Sequence, residues 1–229
     1  MGLDPRASIA SRLEEGTGPF PVRFCDVAIE VTGTSGAGVM LMSNDMPRGS
    51  LCTSNSVSLL IEELQFTLGE GPCIDAYALD HFVREPDLAN PSLVRWFAFS
   101  PHALELGVSA IFGFPVRVGA ARLGALNLYR DHPGPLTDAQ HADGLAIADM
   151  IALWVISAQA AAPDGVMALE LEAGSHFHFA VENAAGMISV QLGVSVTEAH
   201  VRLRAYAFSH NRTLAEVAED VVTRKLRLS

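Results

Sequence analysis

Between residues 177 and 222 the chain carries helix stops and starts at spacings that fit three short helices. Phe177, Val181, Ala184, Ile188 and Leu192 recur at steps of three or four, which is one apolar helical face. Gly193 closes that helix, because glycine enters the left-handed conformation just past a helix end without a Cβ penalty. Ser195-Val196-Thr197-Glu198 has the form of a capping box: the serine oxygen caps the next helix and the glutamate bonds back. Ala199, Leu203, Tyr206 and Ala207 form the buried side of that second helix, and His210 and Asn211 break it. Thr213-Leu214-Ala215-Glu216 repeats the box, and Leu214, Val217, Val221 and Leu226 supply the buried side of the third helix.

Charge is distributed unevenly around this unit. The chain of 229 residues has a net charge of −11. From Val166 onward there are six basic and seven acidic residues, against nine and nineteen before it. The acidity therefore belongs to the N-terminal part, which argues against nucleic-acid binding over the whole surface. Nearly half the residues are hydrophobic and charge is modest, so a globular chain is expected. The N-terminus lacks the apolar core of a signal peptide. Cys25, Cys52 and Cys73 are far apart, without metal-ligand spacing, and are expected as reduced thiols in a cytosol. The longest apolar run, 144–162, contains Asp149, Ser157 and Gln159 and is expected as a buried or dimer-forming helix, not a membrane span.

Upstream, a short helix is expected over 5–15, with Asp4 as its N-cap. Strand-like runs at 27–31 and 38–42, separated by Thr32-Gly33-Thr34-Ser35-Gly36, predict a hairpin. A further strand is expected within 50–55. Residues 57–66 read as a helix burying Leu59, Leu60, Leu64 and Ile61, and 92–106 as a helix packed through Val94, Phe97 and Leu104. The clearest strand pair is 110–118 with 122–129, turning at Gly119-Ala120-Ala121. Thr137 is placed to cap a helix over 138–161, and Pro163-Asp164-Gly165 to mark a domain boundary. Strands, a helix, then more strands, with helices on one side, describe an α+β sheet domain.

Two resemblances follow from named residues. Ala184-Ala185-Gly186-Met187, Glu198-Ala199, Leu203-Arg204-Ala205-Tyr206-Ala207 and Leu214-Ala215-Glu216-Val217-Ala218 together resemble the ANTAR domain, an RNA-binding antitermination module. Many members carry a lysine where this chain has Ala185. Phe66-Thr67-Leu68-Gly69-Glu70-Gly71-Pro72-Cys73 resembles the Gly-Glu-Gly-Pro loop of GAF domains, and 114–118 with 122–129 resembles their penultimate hairpin. The order is similar to that of the GAF-ANTAR transcription antitermination regulators of actinobacteria. The resemblance implies an N-terminal GAF-like antiparallel sheet domain flanked by helices (20–160), a long connecting helix, and a C-terminal three-helix ANTAR-like module (166–227).

It also implies a cytoplasmic, homodimeric regulator that binds tandem stem-loops in nascent transcripts and is not an enzyme. Arginine forks and an aromatic face suit an unpaired RNA loop, so the RNA-binding residues are expected to be Ala184, Ala185, Gly186, Arg202, Arg204, Tyr206 and Arg212. Gly69, Glu70, Gly71, Pro72 and Cys73 form the expected sensor loop, with a small-molecule ligand the residues do not identify. Cys73 lies near a helix N-terminus, which lowers a thiol pKa. A thiol redox sensor or free methionine sulfoxide reductase is therefore one alternative, requiring Cys25, Cys52 and Cys73 to converge. A dimerisation adaptor that binds no RNA is another. No histidine or carboxylate spacing forms a metal face, no glycine-rich phosphate loop occurs, and no cofactor or catalytic residue is expected.

Overall fold

Val39 and Leu41 alternate with Met40 and Met42, so successive side chains leave β1 (Gly36–Ser43) toward opposite faces, and both sets are buried. A strand buried on both sides needs a packed layer on each. The computed structural model, which describes residues 5–43, 46–163, 168, 171, 176–177, 179–210 and 212–228, shows both layers. β1 lies within a six-stranded antiparallel sheet of order β3-β4-β5-β1-β2-β6, with β2 Met46–Thr53, β3 Val83–Glu85, β4 Ala110–Val118, β5 Ala121–Arg130 and β6 His176–Phe177. Gly124 of β5 lies so close to the Met40 carbonyl of β1 that any side chain there would strike backbone. Helices α1 (Pro5–Glu15), α2 (Phe20–Thr32) and α6 (Asp138–Ala160) cover one face. Helices α3 (Ser56–Leu68), α4 (Pro72–Leu79) and α5 (Phe99–Glu105) cover the other. The expected α+β sheet flanked by helices is present, but its helices are not confined to one side.

The β4–β5 hairpin and α6 fall where the residues place them. Thr137 and Gln140 form a reciprocal capping box at the start of α6. Gly144, Ile147, Ile151 and Val155 of α6 are buried against the sheet domain, which accounts for a composition apolar enough to cross a membrane. Leu145, Leu153 and Ile156 line its exposed side.

Four further expectations within the sheet domain are corrected. Residues 27–31 are helical, within α2. Pro21 sits in its first turn, where no N–H bond is needed, and Gly33 closes it with φ 59 and its N–H on the Ile29 carbonyl. Phe24, Val27 and Ala28 bury with helical spacing, overriding the strand-like alternation of Val27, Ile29 and Val31. β1 pairs instead with β2, which contains most of the strand expected within 50–55; Asn44 and Asp45 lie outside the described residues. The helix expected over 92–106 is only α5. Trp96 adopts φ 56, a left-handed conformation that no helix continues through, and Pro101 fits because it lies in the first turn of α5. Val94 and Phe97 are exposed, while Trp96, Phe99 and Ala103 fill the core.

The third correction concerns α3. Its side toward the sheet carries Ser58, Ile61, Glu62, Gln65 and Phe66, and Leu60 is on the surface. Leu60, Leu64 and Leu68 point toward the C-terminal helices instead. The fourth concerns the cysteines. Cys25 of α2 and Cys52 of β2 are joined in a buried disulfide with Cα atoms 6.4 Å apart, while Cys73 is free and buried in the core of the opposite face. The three therefore do not converge.

The C-terminal unit is α7 (Phe179–Leu192), α8 (Val196–Ser209) and α9 (Leu214–Val222). Ser195 caps α8 through the Glu198 N–H, but the Glu198 carboxylate turns to Arg202 rather than back to the cap. The Thr213–Glu216 box at α9 is reciprocal. Phe177, expected on the first helix, lies instead in β6, where it pairs with Gly49 on the β2 edge. Asp4, Asn211 and the linker residues Asp164 and Gly165 lie outside the described residues.

Candidate nucleic-acid interface

Val181, Ala184, Ala185 and Ile188 of α7 meet Ala199, Leu203 and Ala207 of α8 and Leu214, Val217 and Val221 of α9 in one core. That core is continuous with the α3–α4–α5 side of the sheet domain, so the two units are packed together. The Leu214 N–H donates to Thr67 Oγ1 of α3 at 3.5 Å, and Arg48 of β2 pairs with Glu182 of α7 at 3.0 Å.

This docking sorts the seven expected RNA-binding residues into three groups. Ala184 and Ala185 are fully buried, since they fill the bundle core. Gly186 is half-exposed, with open space where a side chain would be. It lines a groove between α7 and the C-terminal turn, facing Arg224 and Arg227. Arg202 is exposed on α8, and Tyr206, one turn on, is half-buried and packs partly against the bundle core. Arg202 donates twice to Glu198, at 3.1 and 2.7 Å, and the Tyr206 ring stacks on His210 with centroids 3.9 Å apart.

Arg204 lies two residues from Arg202, so it points about 200° away around the helix. It turns into the sheet domain, where a Cβ on Gly69 would come 2.9 Å from its Nη1. Burial lowers its pKa, against the opposing pull of Glu182. Arg212 donates to Asp220 at 2.8 Å and lines the contact with α3. Arg204 and the expected sensor loop, read separately from the sequence, are thus in contact.

The Gly71-Pro72-Cys73 end of the loop is buried, while Gly69 and Glu70 are half-buried beside a pocket shared with Arg204 and Phe208. Gly69 (φ 67) closes α3 and Pro72 opens α4. Glu70 Oε1 accepts from the Ala98 and Phe99 N–H groups at 2.7 and 2.6 Å, capping α5. The Cys73 N–H donates to Gln65 at 2.8 Å. Burial pushes the Cys73 thiol well up, the opposite of an activated thiolate. Beside it lies Glu62, 2% exposed, which accepts from Asn127 Nδ2 at 3.3 Å. Burial, which outweighs the Asn127 bond, raises this carboxyl to about 8. Glu62 Oε2, Gln65 Nε2 and Asn127 Oδ1 have no hydrogen-bond partner among the described residues.

Glu182 and His200 carry no signal as isolated residues and were not among the expected site residues. His200 is 3% exposed, with Nε2 3.6 Å from Glu182. Burial lowers its pKa below 6.5, Glu182 pulls the other way, and Arg204 and Arg48 add to the lowering. The unfolded chain then binds this proton at higher pH than the folded one, so its contribution to stability falls as pH drops through and below 6.5. The expected result is that His200→Gln flattens the loss of stability between about pH 7 and pH 5. Urea midpoints across that range check it, and an unchanged slope would remove His200 as the cause.

Among the described residues no cluster of histidine, cysteine and carboxylate groups could hold a metal ion. The family model for the ANTAR domain matches residues 177–222. No curated protein matches the chain. Among solved structures, the GAF domain of a phosphoenolpyruvate-protein phosphotransferase from Coxiella burnetii is similar, with TM-score 0.52 and 14% identity, covering 68% of this chain and 93% of that one. The chromophore-binding domain of a bacteriophytochrome from R. palustris matches with TM-score 0.50 and 13% identity, over 69% of this chain and 62% of that one. At these identities the likeness concerns the fold. The chain joins a GAF-type fold to an ANTAR domain.

Proposed function

We propose that this protein is a cytoplasmic RNA-binding antitermination regulator whose sheet domain controls access to its C-terminal unit. The observation that carries the reading is the ANTAR match over 177–222, combined with docking that turns Arg204 and Arg212 toward α3 and Gly69. In the docked state Arg202, Tyr206 and Gly186 are open to RNA, while the other two arginines face the acidic domain. Release would uncover Arg204, while Arg212 stays paired with Asp220 of α9. Two copies, paired through the exposed Leu145, Leu153 and Ile156 side of α6, would present two units to paired hairpin loops, and the second binding event then becomes intramolecular.

Gel shift of a tandem stem-loop RNA with the full-length chain tests this. The expected result is a complex that weakens steeply with salt and loses about 1–3 kcal/mol of affinity on Tyr206→Ala, the usual worth of a base stacked on an aromatic ring. Absence of any complex at low salt, for both the natural chain and a variant with the docking broken, would dispose of the reading.

A further inference from the structure

Two residues of the C-terminal unit are unfavourable choices for the backbone positions they hold, and both line the groove between α7 and the turn after α9. Gly186 lies in the middle of α7, where a Cβ would meet open space. Neither a left-handed turn nor close packing calls for glycine there, and alanine would favour the helix. Arg224 is the reverse case. It follows α9 with φ 60, the left-handed conformation that glycine takes without penalty, and its N–H closes on the Val221 carbonyl at 3.0 Å. The groove has a volume of about 910 Å³. Arg224 and Arg227 are exposed on it, and their side chains make no ion pair or hydrogen bond among the described residues. Glu182 is the one carboxylate among the lining residues, and its two oxygens face Arg48 at 3.0 Å and His200 at 3.6 Å. The groove therefore presents two guanidinium groups with their charge unmatched. Gln191 Oε1 is buried in its wall without a hydrogen-bond partner, and Val190 beside it is 85% exposed.

We propose that this groove takes an unpaired loop nucleotide of the bound RNA together with its flanking phosphates. The proposal rests on the RNA-binding reading above and deepens it. Arg224 and Arg227 hold the phosphates, for which the guanidinium fork is suited. The base lies over the bare backbone at Gly186, with Val190 as its apolar contact. A donor of the nucleotide, the 2′-hydroxyl or a base amine, satisfies Gln191. This accounts for both unfavourable choices at once: a side chain at 186 would hold the base off, and glycine at 224 would give up a phosphate contact. An apolar peptide segment in the same place would leave both guanidinium groups unpaired. Unlike Arg204, the two arginines are exposed while the units are docked, so this contact does not wait for release. Both also lie beyond residue 222, where the ANTAR match ends.

Substitutions that act in opposite senses on folding and on binding provide the test, made in the full-length chain with a tandem stem-loop RNA. Gly186→Ala and Arg224→Gly should each leave the melting temperature unchanged or raise it, because each puts the locally preferred residue in place. Both should nonetheless weaken RNA binding, by about threefold or more for Gly186→Ala and about fivefold or more for Arg224→Gly. Arg227→Gln should weaken it to a similar degree. Each arginine substitution should also lower the slope of log affinity against log salt by about one, the signature of a lost phosphate contact. If the natural chain binds the RNA and the three variants match it in affinity and salt slope, the groove is not a nucleotide site, and the RNA reading stands without it. Affinity lost only in step with a lowered melting temperature also overturns the proposal, since a structural role would then suffice. If neither the natural chain nor a variant with the docking broken binds the RNA, the RNA reading and this proposal fall together.

Discussion

Glu62→Gln is expected to stabilise the protein at pH 9 by on the order of 3–5 kcal/mol and to change little at pH 5. The folded chain holds the Glu62 carboxyl at about 8, because burial in the core between α3 and β5 disfavours the anion. The unfolded chain releases that proton near 4.5. Between these values the folded state binds the extra proton, so stability falls as pH rises from about 4.5 to about 8, and levels off above. Glutamine keeps the shape and lacks the titration. The neutral form is also the one the surroundings fit. Glu62 Oε2 and Asn127 Oδ1 are unmatched acceptors, and a proton on the carboxyl converts one of them into a donor. Urea unfolding of the two proteins between pH 5 and 9 checks this; parallel curves would mean that Glu62 ionises without cost.

The second large effect concerns docking. Leu64→Asp should release the C-terminal unit and raise affinity for a tandem stem-loop RNA by about tenfold or more. Leu64 is partly buried against the shared core and lies on the side of α3 that meets the C-terminal helices, not on the side that meets the sheet. A carboxylate there opposes docking through desolvation, yet the sheet domain keeps Ile61, Glu62, Gln65 and Phe66 in place. Hydrogen exchange of the α8 amides should rise while that of β4 and β5 stays slow. Faster exchange in α8 with unchanged RNA affinity would show that docking does not control access.

Elements that close on local contacts were legible in the sequence. The β4–β5 hairpin, α6 with its Thr137 cap and the Thr213–Glu216 box each rest on residues within a few positions of one another, so pattern and structure agree. Long-range packing decided what was misread. Val27, Ile29 and Val31 alternate like a strand, but Phe24, Val27 and Ala28 are claimed by the helical layer under the sheet. The α3 leucines read as the core face of one domain because nothing local says that a second unit, about 140 residues further on, needs an apolar surface. The candidate site divides in the same way. Arg202 and Tyr206 could be placed on one face from spacing alone. The contact of Arg204 with Gly69 could not, because its partners lie far apart in the chain.

The two-residue strand β6 has a consequence for release. His176 and Phe177 occupy the free edge of β2, opposite Ser50 and Gly49. If the C-terminal unit leaves with that short strand, the vacated row of backbone N–H and carbonyl groups on β2 becomes open to pairing with any extended chain. Release would then carry a hazard of sticking between molecules as well as a gain in RNA access. A released population without RNA to occupy it should be the form most prone to self-association.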